Sequence, residues 1–241
     1  MTGSTRDDRN GDGPRAGSGA AGRAYVVRPG DDADGTGAGV LVLHSWWGLT
    51  GDVKEVCHRL ADLGFVVCAP DLSAGLLPET TAEAEFELAR VDPNRVADLV
   101  LSSAVALRSI TDEPSGPVSV LGFGMGASWA LWAATRQPET FVRVVAYYGT
   151  QSIDFSDLTA AVQCHFADRD EVVRPEEVIE LTASLFESGR EPEIWNYDAR
   201  HGFAEPASAD AYDPDAAALA WSRTVSFLEP HSPVLGEGPV V

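Results

Sequence analysis

The order in which two hydrophobic patterns alternate along the chain constrains the fold most. Short β-rich apolar runs stand at Ala24–Val27, Val40–His44, Phe65–Ala69, Val118–Leu121, Val142–Tyr148, Val162–Phe166 and Glu193–Tyr197. Between and after them lie helical patterns over Asp52–Leu63, Asn94–Ile110, Gly126–Thr135, Pro175–Leu185 and Asp215–Leu228. Pro175 suits the first turn of its helix, where no N–H partner is needed. Such alternation predicts an α/β fold with a mostly parallel sheet and helices on both faces. Chemistry in these sheets belongs to loops at the carboxyl ends of strands. The informative loops are therefore those after His44, Leu121, Phe166 and Tyr197.

Composition bounds the rest. A hydrophobic fraction of 44% is enough for a large core. Residues 1–23, rich in Gly, Asp, Arg and Ser, are expected to be a disordered tail, residues 24–229 one domain, and 230–241 a shorter tail. The first segment lacks the apolar stretch of a signal peptide, and no run approaches the ~18 apolar residues of a membrane span. Seventeen Lys+Arg against 37 Asp+Glu leave a net charge of −20, which repels nucleic acid and anionic membranes alike. Cys57, Cys68 and Cys164 form no CxxC pair and read as reduced thiols of a cytoplasmic protein. No two histidines have metal-ligand spacing with a carboxylate, so neither metal nor cofactor is expected.

Val118–Leu121 runs into Gly122-Phe123-Gly124-Met125-Gly126 and then a helical pattern. One reading is a dinucleotide fingerprint through Gly122, Gly124 and Ala127. That motif wants an acidic residue after the next strand, which here ends in Tyr147-Tyr148-Gly149-Thr150. The other reading is a nucleophile elbow, G-x-Nu-x-G, with Gly122 and Gly126 flanking the turn and Gly124 at the position of the nucleophile. Glycine accepts the positive φ of such a turn but carries no attacking group. An elbow should be followed by an acid and then a histidine. The chain offers Asp168 or Asp170 after one strand and His201 after the next, and only geometry can choose between the two aspartates.

With these segments in order, the chain resembles the dienelactone hydrolase family. The resemblance rests on His44–Leu49, Ala69–Leu72, Gly122–Gly126, Cys164–Asp170 and Tyr197–Phe203, and spans about residues 24–229. It implies an α/β-hydrolase fold of about eight strands, with a Cys-His-Asp triad acting on lactones or esters. On that basis Asp170 is the acid and His201 the base, and the main-chain N–H groups of Trp46 and Met125 form the oxyanion hole. Three positions depart from the family pattern. Gly124 replaces the cysteine, Ser45 replaces a glutamate, and Glu205 replaces an arginine that grips a substrate carboxylate. The last change reverses the sign of the site and argues against an anionic dienelactone.

Ser45 could reach His201 as a substitute nucleophile, or be a small residue tolerated in a tight loop. Ser128, one helical turn past Gly124, is expected to back-bond a carbonyl. A water beside Gly124, activated by His201, is a third source of attack. His44, Ser45, Trp47, Phe123 and Glu205 are expected to line the pocket, with Trp46 and Trp47 as an apolar wall; for His44, a hydrogen-bonded structural role is the competing reading. His58 should lie on the surface and His165 in the core, as should Trp129, Trp132 and Trp195. Three functions follow: a slow or divergent ester or lactone hydrolase, an inactive relative binding a small apolar ligand or a protein, and a nucleotide-binding module.

Overall fold

Every side chain from Val40 to Leu43 is fully buried, which requires an apolar layer on each face of the strand. The computed structural model, which describes residues 23–30, 37–114 and 116–229, shows both layers. Its strands are β1 (Ala24–Val27), β2 (Gly39–Leu43), β3 (Val66–Pro70), β4 (Val118–Phe123), β5 (Phe141–Tyr147), β6 (Ala161–Arg169) and β7 (Glu193–Arg200). Its helices are α1 (Gly51–Asp62), α2 (Thr81–Leu88), α3 (Pro93–Arg108), α4 (Met125–Arg136), α5 (Pro175–Glu187) and α6 (Pro214–Leu228). Apart from Arg23, the tails expected over 1–23 and 230–241 lie outside the described residues.

The strands form one sheet in the order β1-β3-β2-β4-β5-β6-β7. Only the β1–β3 pair is antiparallel. Seven strands stand among the described residues rather than the implied eight, because the chain described ahead of β2 contributes only the edge strand β1. Alternate side chains enter opposite layers. Leu41, Leu43, Val120, Val144 and Cys164 pack with α3, α4 and α5. Val40, Val42, Leu121, Val145 and Tyr147 pack with α1 and α6. Period-two strands thus serve two helical layers at once.

Helix α2 has no counterpart in the sequence pattern. Its run Thr-Ala-Glu-Ala-Glu-Phe-Glu-Leu buries only Ala84, so no apolar stripe marks it; the Thr80 hydroxyl caps it by accepting from the Glu83 N–H at 3.2 Å.

Strand order also places the site. From β2 the chain moves to β3 on one side, and from β4 it moves to β5 on the other. The loops leaving β2 and β4 therefore diverge and open a crevice between them, the switch point where open parallel sheets bind ligands.

Candidate active site

The turn leaving β4 holds Gly124 at φ 51° and ψ −117°, a region that L side chains enter only under strain. Its flanking glycines are required by contact. A Cβ on Gly122 would overlap the Gly126 carbonyl, and one on Gly126 would overlap the Leu43 and His44 carbonyls of the neighbouring loop. Both glycines are thus used by the protein's own backbone, in keeping with an elbow and not with a phosphate cradle. A Cβ on Gly124 would stand 3.5 Å from the Ser45 Cβ and 4.0 Å from His201 Nε2, both ordinary contacts. The N-terminus of α4 has no side-chain cap, and Met125, its first residue, lines the same space.

His201 Nδ1 lies 2.9 Å from Asp170 Oδ2 and 3.1 Å from Oδ1. Asp170 Oδ1 also accepts the N–H groups of Val172 and Val173, each at 2.8 Å. An acceptor so fixed places the imidazole hydrogen on Nδ1 and leaves the Nε2 lone pair toward Gly124. Pairing of β6 with β7 chooses the aspartate. Ala167 pairs with Tyr197, but Arg169 pairs with Arg200, so β7 carries one extra residue. The next residues, Asp170 and His201, then stand side by side. Without that bulge Asp170 would face Arg200. Asp168 points into solvent.

Ser45 does not reach toward His201. Its hydroxyl donates to Glu205 Oε1 at 2.7 Å and accepts the Trp47 N–H at 3.3 Å. Tyr148 donates to Glu205 Oε2 at 3.0 Å, and its ring stands 5.1 Å from that of His201. Tyr148 is a non-glycine residue at positive φ, 37°, so its backbone turns sharply as β5 ends. Glu205 is 5% exposed, and burial pushes its carboxyl up to about 6. The hydrogen bonds from Ser45 and Tyr148, and the nearby His201, pull the other way. Burial and the Glu205 charge raise the Tyr148 phenol well above its ordinary value.

Ser45, Trp46, Trp47, Gly124, Met125, His201 and Glu205 line one cavity of about 230 Å³. Leu88 of α2 and Tyr148, Val172, Val173 and Ser208 complete much of its wall. Sequence reading missed these five. Tyr148, at a strand end beside the elbow, was the one with a positional signal. Trp47 Nε1 donates to Ser208 Oγ at 2.9 Å, which fixes the indole, while Trp46 packs edge-on to Trp47 with ring centres 5.8 Å apart.

Two expected lining residues lie elsewhere. His44 is fully buried, with Nδ1 2.6 Å from the Ser45 carbonyl and Nε2 accepting the Leu72 N–H at 2.9 Å. It ties the β2 loop to the β3 loop, and burial lowers its pKa. Phe123 packs on Tyr147 and Tyr148 and lines a separate cavity against α1 and α6, because it is the last residue of β4 on that face. Glu205 borders both cavities.

Of the remaining candidates, Ser128 donates to the Thr150 carbonyl at 2.6 Å rather than within its own helix. His58 is exposed and meets the Tyr25 hydroxyl at 2.7 Å, whereas His165 is buried between Tyr197, Gln163 and Thr224. Trp129, Trp132 and Trp195 are half-buried. All three cysteines are buried, and burial raises Cys57 and Cys164 to about 12 and Cys68 to about 11. None is a reactive thiol. Among the described residues no cluster of His, Cys, Asp and Glu could hold a metal, and no helix is long and apolar enough to cross a membrane.

A mostly parallel sheet, a glycine-flanked turn at its switch point, and an aspartate and a histidine at the ends of the paired strands β6 and β7 together define an α/β-hydrolase. The chain belongs to the dienelactone hydrolase family, whose sequence profile matches residues 23–232. It is 29% identical over 217 residues to Protein usf of Aquifex pyrophilus, covering 86% of this chain and 92% of that one. It is 27% identical, with the same coverage, to a protein of Aquifex aeolicus (strain VF5) whose name proposes a carboxymethylenebutenolidase. The fold is shared with the dienelactone hydrolase-like promiscuous phosphotriesterase P91 from metagenomic libraries. That match has a TM-score of 0.71 and 20% identity over 85% of this chain and 96% of that one.

Proposed function

We propose that the protein hydrolyses a carboxylic ester or lactone by direct attack of water, without a covalent acyl-enzyme. The observation that carries this reading is the position of His201 Nε2, 4.0 Å from the point where a Cβ on Gly124 would stand, with Asp170 holding the opposite nitrogen at 2.9 Å. Glycine leaves room for a water where the family pattern has a side chain. His201 takes a proton from that water as its oxygen bonds to the substrate carbonyl carbon. The main-chain N–H groups of Met125 and Trp46 receive the developing oxyanion. Collapse of the tetrahedral species breaks the ester C–O bond, and the proton on Nε2 passes to the departing alkoxide. Ser45 is held by Glu205 and has no part in the attack.

Such a site is slow. Oxyanion stabilisation and binding without a triad nucleophile give on the order of 10³–10⁴-fold acceleration over water. The test is hydrolysis of small activated esters and lactones by the purified protein beside His201→Ala. Turnover above background that disappears in His201→Ala is the expected result. Equal rates for the two would overturn the proposal and leave the cavity as a binding site for a small apolar ligand or a protein.

A further inference from the structure

We propose that the cavity selects a substrate bearing a positive charge, a quaternary ammonium or protonated amine attached to the ester or lactone. The inference rests on the hydrolytic reading above for the word substrate, but its binding argument stands alone. The acidic side chains lining the cavity, among the described residues, are Glu205 and Glu177; the lining includes His201 but no lysine or arginine. Glu177 is partly neutralised by Arg174 at 3.3 Å. Glu205 has no lysine or arginine at such a distance: its oxygens accept from the neutral hydroxyls of Ser45 and Tyr148, and the nearby basic group is His201. These bonds position the carboxylate without cancelling its charge.

A buried carboxylate in low dielectric surroundings projects a stronger field than one in water. Trp46 and Trp47 stand in the same cavity and offer aromatic rings, which attract cations through the ring quadrupole. The outer vestibule has the same sign. It is lined by Glu79, Glu85, Glu171 and Asp210 against Arg169 and Arg200, and Arg169 is already paired with Asp198 at 2.9 Å. A chain of net charge −20 draws cations toward that opening.

The experiment compares choline with 3,3-dimethylbutan-1-ol, its neutral carbon isostere, by calorimetry on the full chain at pH 8. Choline is expected to bind at least about tenfold more tightly, from the carboxylate field and cation–π contacts together. Glu205→Gln, checked for folding by its melting temperature, should erase the preference. Equal binding of the two alcohols by the wild-type protein would overturn the inference, as would a preference undiminished in folded Glu205→Gln. Turnover of the two acetate esters separates this inference from the hydrolytic one. Choline preference without turnover overturns the hydrolytic reading and supports the cation site, whereas turnover without preference does the reverse.

Discussion

Replacing Gly124 by cysteine tests the geometry of the site most directly. The new Cβ meets only ordinary contacts, 3.5 Å to Ser45 Cβ and 4.0 Å to His201 Nε2, so the side chain fits without displacing a neighbour. A sulfur about 1.8 Å beyond that Cβ comes within hydrogen-bonding reach of Nε2. The stability loss arises from the backbone. A side chain at φ 51° and ψ −117° costs roughly 1–3 kcal/mol, offset by about 0.4–1 kcal/mol of lost freedom in the unfolded chain. A net loss of about 1–2 kcal/mol lowers the melting temperature by several degrees and leaves the protein folded. The thiol lies beside an imidazole and at the uncapped start of α4, both of which stabilise a thiolate. Cys57, Cys68 and Cys164 are raised to about 12, 11 and 12, so iodoacetamide near pH 7 should label position 124 alone. With p-nitrophenyl acetate the variant should release one equivalent of nitrophenol in a burst, then turn over at least about 100-fold faster than wild type. A folded variant with neither selective labelling nor a burst would refute the arrangement of His201 around the elbow.

Three further outcomes follow from the same structure. Asp170→Asn replaces an acceptor that fixes the His201 hydrogen on Nδ1; the His201-dependent rate should fall about 10²–10⁴-fold with little change in KM, measured by steady-state kinetics. Gly126→Ala drives a methyl group into the Leu43 and His44 carbonyls, and backbone cannot swing aside as a side chain can; a loss of at least about 2 kcal/mol is expected in urea melts. Glu205→Gln should change the pH dependence of stability. The folded carboxyl is raised from 4.5 to about 6, so the native state holds its proton longer than the unfolded chain does. Its contribution is present below pH 4.5 and is lost as pH rises through 6, about 2 kcal/mol in all. The variant lacks that loss, so its stability relative to wild type should rise by this amount between pH 4.5 and 7.5. Taking the difference cancels His165, which burial lowers to about 3 and which acts in the opposite direction. A gap that stays constant across this range would show that Glu205 is not held in a desolvated site.

The parallel sheet was legible because seven apolar runs and five helical patterns follow a period that side-chain direction imposes. Helix α2 was not, since a helix that buries one alanine needs no stripe. Yet α2 supplies Leu88 to the cavity and Glu85 to its vestibule. The elbow was readable from Gly122 and Gly126, because close backbone approach excludes a Cβ. Phe123 was misplaced because adjacent residues at a strand end face different sides, and the sequence does not say which side holds the cavity; of the two readings of His44 the structural one holds, through a bond to Leu72 in another loop.

By itself the sequence determined the α/β class, the order of the glycine-flanked turn, the aspartate pair and His201, and the glycine at position 124 in the middle of that turn. These are local matters of period, turn chemistry and residue identity. Tertiary structure decided that Asp170 and not Asp168 meets His201, since one extra residue in β7 sets the register at the strand ends. It also decided that Ser45 serves Glu205, 160 positions away, instead of His201. Those choices depend on which strands become neighbours and how far each runs, and on burial, which raises the proton affinity of Glu205 only after the core closes around it.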